Sequence, residues 1–346
     1  MEANEANIPP SPEEVKKEVN SQNQNIDANA ELGQKIASAS WDDTIKIWDT
    51  TPGLSNEQAL LNTLKGHTDS VNCLIKLSEN KIVSGGRDKK IIIWDTTPGL
   101  SDEKRLLNTL QGHSSEVSCL IKLSDNKIAS GGRDNTIKIW DTTPGLPNEK
   151  CLLNSFEAHY GQVFCLIKLS DNIIASSSSD HNIKIWDITP GLSFKQSLLN
   201  TLQGHTKDVF CLIKLSENKI ASGSCDNTIK IWDITPGLSN EKCLLNTLQG
   251  HTWPVRCLVK LSENKIASGG YDKKIKIWDI TPGLSNEKCL LNTLQGQYGD
   301  VNCLVKLTDN KIASGTDITE IWDINENRIL NTFEGYSDIV SSLILL

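Results

Sequence analysis

Serine, histidine and aspartate recur together in this chain, an arrangement that reads as nucleophile, base and orienting acid. The sets are His67, Ser84 and Asp88, then His113, Ser130 and Asp134. Such a trio performs acyl transfer when the serine oxygen can attack and the histidine can take its proton. Here the trio returns in five copies, each followed by tryptophan and aspartate, as at Trp94 and Trp140. A catalytic constellation is needed once, so a device repeated along the chain is read as structure and no catalytic residue is assigned. Cysteine and histidine fare no better as metal ligands. His67 and Cys73 lie six apart, with no second pair to complete a tetrahedral site. Six of the ten cysteines fall at intervals of 46, in one apolar context such as Val71-Asn72-Cys73-Leu74-Ile75. They read as small buried hydrophobes. Cys151, Cys243 and Cys289 precede Leu-Leu-Asn, where other copies carry Ala59, Arg105 or Ser197. A required bridge would not tolerate those replacements, so all ten are expected to be thiols, which fits a reducing compartment. No phosphate-cradling glycine loop or dinucleotide fingerprint is present. Neither a metal nor a cofactor is expected.

The elements that must position these residues follow from one period. Tryptophan followed by aspartate stands at Trp48, Trp94, Trp140, Trp186, Trp232, Trp278 and Trp322, spaced by 46 five times and then by 44. Each unit holds four short runs rich in Ile, Leu and Val, separated by turn signals, and such runs read as strands. In the second unit they are 71–77, 81–86, 91–95 and 105–110. Thr-Pro-Gly-Leu recurs six times, and Pro-Gly suits the centre of a type II turn. A four-stranded unit of this size cannot bury both faces alone and must stack on copies of itself.

The pattern Gly66-His67, Ser84-Gly85-Gly86-Arg87-Asp88 and Trp94-Asp95 resembles that of the WD-repeat (WD40) β-propeller family. The resemblance covers residues 35–346 and implies an all-β fold, a seven-bladed propeller of four-stranded antiparallel blades. The first unit lacks a first strand and the chain ends with one to spare, so residues 339–346 are expected to complete the first blade. The resemblance also implies a structural hydrogen-bond network of His67, Ser84, Asp88 and Trp94, repeated by His113, Ser130, Asp134 and Trp140. Gln297 and Tyr336 stand where histidine is expected, so the networks ending at Trp322 and Trp48 are expected to be incomplete. Ubiquitin-ligase adaptors of the family carry Arg or Lys two residues after the Trp-Asp aspartate. Thr97 and its equivalents hold that place here, so that role gains no support.

The copies also serve as an internal comparison. They diverge in the loops expected on the top face, and the unusual side chains gather there. All four tyrosines, Tyr160, Tyr271, Tyr298 and Tyr336, lie in these loops, as do Trp41 and Trp253, the two tryptophans outside the Trp-Asp series. Arg87, Arg133 and Arg256 lie in or beside them. Tyr, Trp and Arg are enriched at interface hot spots. The expected function is a non-enzymatic scaffold that binds a protein or peptide on the top face. Its apolar anchor would rest in an aromatic arc that runs through Trp253, Arg256, Tyr271, Tyr298, Tyr336 and Trp41, with an acidic or phosphorylated residue near Arg87 and Arg133. A permanent structural subunit of a larger assembly is the alternative, and a nucleic-acid-associated propeller ranks behind both.

Composition bounds the rest. The chain has 346 residues and a net charge of −8. Residues 1–34 carry seven acidic residues against two lysines, which leaves the remainder near neutral at −3. A nucleic-acid or membrane-surface binder would carry a basic face. No apolar run approaches the ~20 residues of a membrane span, and no secretory signal precedes the repeats. The expectation is an intracellular, cytoplasmic protein, the nucleus left open, acting as a monomeric propeller within a complex. Residues 1–34 read as a largely disordered acidic tail, with a capping-box pattern that could start a short helix over Pro12–Val19.

Overall fold

The computed structural model describes residues 33–296 and 299–346 of the chain. The expected helix near Pro12, most of the acidic tail, and the loop residues Gln297 and Tyr298 lie outside the described residues. Seven four-stranded antiparallel sheets form the fold. Blade 2 is representative. Its strands are Val71–Ser78, Lys81–Gly86, Lys90–Asp95 and Leu106–Gln111, in order from the centre of the ring outward. Blade 1 takes its innermost strand, Val340–Leu345, from the end of the chain. That strand pairs antiparallel with Lys35–Ser40, Ile36 opposite Leu345 and Ser38 opposite Leu343. It touches the inner strands of blades 2 and 7, so the ring closes there.

Alternation within each strand divides the side chains between two neighbouring blades. Ile91, Ile93 and Leu110 of blade 2 pack with Val117, Leu120, Ile128 and Trp140 of blade 3 in one buried cluster. The core is thus a ring of seams between sheets, each buried only because the next blade is present. Lysines of the inner strands tie the seams further. Lys122 Nζ donates to the Leu77 carbonyl of the preceding blade at 2.6 Å, and Lys168 does the same to Leu123 at 2.6 Å.

The Pro-Gly turns are as expected: Gly53, Gly99, Gly145, Gly191, Gly237 and Gly283 all adopt positive φ between 81° and 92°. The segment after each turn differs from the expected strand. In blade 2 the fourth strand does not begin at Arg105, because Asp102–Arg105 forms a single helical turn. Ser55 explains the device in blade 1. Its side chain accepts from the Gln58 backbone, while Gln58 reaches back to the Ser55 N–H. The turn buries its last residue, Ala59 in blade 1 and Cys151, Cys243 and Cys289 elsewhere. It also leans on the outer strand of the preceding blade. Asn240 accepts from the Gln203 N–H at 3.0 Å and donates to its carbonyl at 3.4 Å. Outer strands are open edges, and covering part of an edge blunts sheet-to-sheet pairing.

Candidate functional site

Each top loop is held by a relay that begins in the blade core. In blade 2, Trp94 Nε1 donates to Ser84 Oγ at 2.7 Å, and Ser84 Oγ lies 2.7 Å from His67 Nε2. His67 Nδ1 is 2.9 Å from Asp88, whose carboxylate also accepts from the Thr68 and Lys90 N–H groups. Blade 3 repeats this with Trp140, Ser130, His113 and Asp134. The distances match those of a Ser–His–Asp relay. However, Ser84 and Ser130 are 0% exposed and each is pinned by an indole N–H. No substrate could reach these oxygens without the blade opening. Burial pushes the Asp134, Asp180 and Asp226 carboxyls up, but hydrogen bonds from His113, His159 and His205 outweigh it. All three are held well below the usual carboxylate range.

Blade 1 keeps half of the network expected to be incomplete there: Tyr336 takes over the bond to serine, while no bond among the described residues joins it to Asp42. The Tyr336 hydroxyl donates to the Ser38 carbonyl at 2.8 Å and contacts Ser38 Oγ, which accepts from Trp48 Nε1 at 2.7 Å. Lys46 Nζ lies 3.8 Å from the centre of the Tyr336 ring, and burial pushes the phenol well above its ordinary value. A phenol is long enough to reach the serine that histidine reaches elsewhere. Tyr336 therefore turns into the blade and is not an exposed anchor. In blade 7 the turn is two residues shorter, and Trp322 Nε1 donates to Ser314 Oγ at 2.9 Å.

The remaining top-face residues separate into three places. Trp41, Arg133, Arg256 and Tyr271 share a cavity of about 340 Å³ at the mouth of the central channel. Arg87 stands beside it at the rim. Its Nε lies 3.2 Å from Glu116 Oε1, and Arg133 Nη1 lies 3.0 Å from the same oxygen. The acidic residue expected near Arg87 and Arg133 would therefore meet a carboxylate already in place, that of Glu116. Tyr160, 95% exposed, lines a separate groove on blade 4 with Lys184 and Gln203. Trp253 is exposed on blade 6. Tyr298 lies outside the described residues. The expected arc from Trp253 through Tyr336 to Trp41 is therefore broken at Tyr336.

Sequence reading missed a ring of residues that the structure places at the mouth. Asn72, Ser118, Phe164, Phe210, Asn302 and Ser341 all line the cavity, with Arg256 at the equivalent place in blade 6. Each is the middle residue of Val-x-Cys, or Val-x-Ser in blade 1, on an inner strand. The flanking positions are uniform and face the seams; the middle one alternates toward the channel and varies. That variability within an otherwise constant triplet was the available signal.

The mouth is two-sided. Phe164 and Phe210 meet edge to face at 5.0 Å, Tyr271 lies 6.4 Å from Phe210, and the Arg256 guanidinium sits 5.0 Å over the Phe210 ring. The opposite side is polar and largely bonded within itself. Gln162 donates to Ser118 at 3.0 Å and Asn72 to the Val117 carbonyl at 3.1 Å. Among the described residues Arg256 has no carboxylate partner, so the cavity holds two arginines against Glu116.

Six stretches of the chain, residues 22–49, 58–95, 104–141, 150–187, 196–233 and 242–279, match the family described as WD domain, G-beta repeat. Among solved structures, the computationally designed Ika8 protein is similar at 30% identity, over 89% of this chain and 86% of that one, with a TM-score of 0.64. The WD40 β-propeller domain of Doa1 is similar at 24% identity, over 82% of this chain and 86% of that one, with a TM-score of 0.65. No curated protein matches the sequence.

Proposed function

We propose that this chain, which belongs to the WD domain, G-beta repeat (WD40) family, is a scaffold that holds an extended acidic peptide across the channel mouth. Propellers of the family generally serve as protein-interaction scaffolds, and no helix among the described residues is long and apolar enough to cross a membrane. The finer reading rests on one observation. The variable middle positions of the inner strands converge on a single cavity, where Phe164, Phe210 and Tyr271 flank an arginine that has no carboxylate partner among the described residues. An apolar side chain would lie against the rings. A carboxylate or phosphate two or three residues along would meet Arg256, where a charge-assisted bidentate bond is available. Arg87 and Arg133 are secondary, because Glu116 already neutralises one of their two charges.

Selection from a displayed random-peptide library tests this. Enriched peptides should pair an aromatic or aliphatic residue with an acidic one. Arg256→Ala should weaken them at least tenfold, and more than their neutral analogues. Phe210→Ala should cost about 2 kcal/mol or more if the ring is a hot spot. Peptides that bind the Thr-Pro-Gly-Leu face and ignore both changes would overturn the reading.

A further inference from the structure

The repeats agree closely along the outer strand and into the next top loop, which reads Leu-Leu-Asn-Thr-Leu-Gln-Gly-His-Thr at 198–206 and 244–252 and differs by one residue at 60–68 and 106–114. The copy leading into blade 4 departs at five places, with Ser155, Phe156, Glu157, Ala158 and Tyr160. The structure gathers four of these around one cavity of about 650 Å³ at the side of blade 4, together with Lys184 and Thr201. The cavity is separate from the channel mouth.

Lys184 occupies a place that carries a buried lysine in several blades, and it differs from its equivalents. Lys138, Lys230 and Lys276 each donate to a hydroxyl of their own outer strand, to Ser155, Thr247 and Thr293. Lys46 has Asp42 at 3.5 Å. The hydroxyl that corresponds for Lys184 is that of Thr201, yet no bond joins the two among the described residues. Lys184 Nζ donates instead to the Ala158 carbonyl at 2.8 Å, and it lies 5.5 Å from the Tyr160 ring centre and 5.6 Å from that of Trp186. Lys184 is only 9% exposed; Asp180 acts on it electrostatically, but no described carboxylate stands within ion-pair distance. An ammonium has three donors, and a buried charge without a counter-ion is costly. Burial lowers the Lys184 pKa, in keeping with that cost.

We propose that this side cavity is a binding site for a carboxylate on an aromatic or aliphatic stem. The carboxylate sits between Lys184 and Thr201, and the stem lies under the exposed ring of Tyr160. Glu157 at the edge disfavours the acid, so the site is tuned for weak or reversible occupancy.

Two acids probe it by ligand-observed NMR on the full chain: phenylacetate, and N-acetylglutamate N-methylamide as a peptide side chain. Phenylacetamide and the glutamine counterpart are their neutral controls. The acids should bind and the neutral compounds should not. Whichever acid binds more tightly distinguishes a free small acid from an acidic side chain of a protein. Lys184→Met should weaken the acids at least tenfold, while Lys230→Met, at the equivalent place in blade 5, should leave them unchanged. If Lys184→Met does not fold, two surface changes decide the matter. Tyr160→Thr should weaken binding several-fold, and Glu157→Gln should strengthen it. Equal binding of acid and amide, no binding of either acid at millimolar concentration, or a Glu157→Gln variant that binds no better would overturn the proposal. None of these outcomes depends on the channel mouth.

Discussion

The hydroxyl of Ser130 joins the apolar half of a blade to its polar loop: it accepts from Trp140 and lies within bonding distance of His113, which meets Asp134. Removing the far end leaves the buried His113 Nδ1 with only the Thr136 hydroxyl, 3.4 Å away. Asp134→Ala should therefore cost about 1–3 kcal/mol of stability, read from the shift in urea midpoint. The same relay sets a direction for pH. Burial lowers the pKa of His159 and His205 by more than Asp180 and Asp226 raise it. A lowered histidine pKa gives stability that is complete above about 6.5 and declines as pH falls through that value. Asp134, Asp180 and Asp226 are held below their ordinary value. Their contribution is complete above about pH 4 and is lost on further acidification. Urea midpoints at pH 7.5, 5.5 and 2.5 should fall in two stages, the first with the histidines and the second with the aspartates. A midpoint that holds or rises down to pH 4 would show that the relays do not govern acid stability.

Between neighbouring strands and blades, fit is set by pairs of small residues. A Cβ on Gly131 would stand 2.7 Å from Cys119 Sγ and 2.6 Å from Val163 of the next blade. Blade 1 carries Ala39 at that position, and the residue opposite is Ser342 in place of cysteine. Gly131→Ala alone should cost about 1–3 kcal/mol by overpacking, and adding Cys119→Ser should recover part of it in thermal melts. Blade 4 breaks the rule with Ser177 facing Cys165, and Ser177 Oγ is buried without a partner among the described residues. Ser177→Ala removes that unpaired hydroxyl without adding an atom and should stabilise by about 1 kcal/mol. The sequence disclosed such elements unevenly. Strands such as Lys81–Gly86 were legible because turn residues bound them and alternation marks their faces. The helical turn at Asp102–Arg105 was not, because four residues show no helical period. Phe164 and Phe210 carry no local mark that sets them apart from other strand hydrophobes. Only ring closure, which brings seven inner strands together, makes their position a channel wall. Tyr336 was legible only in part: its place in the repeat is that of the histidine that reaches serine, but nothing local says that a phenol reaches Ser38, 298 residues away.

Closure of the whole ring rests on one strand contributed from the far end of the chain. That much was countable in the sequence, since one unit lacked its first strand and one strand was left over. Val340 and Leu343 are buried, Ser341 reaches the Ala39 carbonyl at 3.2 Å, and Leu346 N–H donates to the Lys35 carbonyl at 2.8 Å. Deleting residues 340–346 would open the edge of the Lys35–Ser40 strand and strip one side from the seams with blades 2 and 7. In a one-dimensional array with no stable free end, that loss propagates to its neighbours. The deletion should aggregate or lose cooperative unfolding, but that outcome alone could reflect any damaged core. A permutant separates the causes. Residues 334–346 moved ahead of residue 35, through a short turn, would make the same strand pair as a local hairpin. The 2.8 Å bond between Leu346 and Lys35 places those ends within reach of one another. If occupancy of the inner slot is what closes the ring, the permutant should melt cooperatively within a few degrees of the parent, although its chain order has changed. If closure instead requires the far end to return last, the permutant should fail as the deletion does. Scanning calorimetry of the three proteins side by side decides between them.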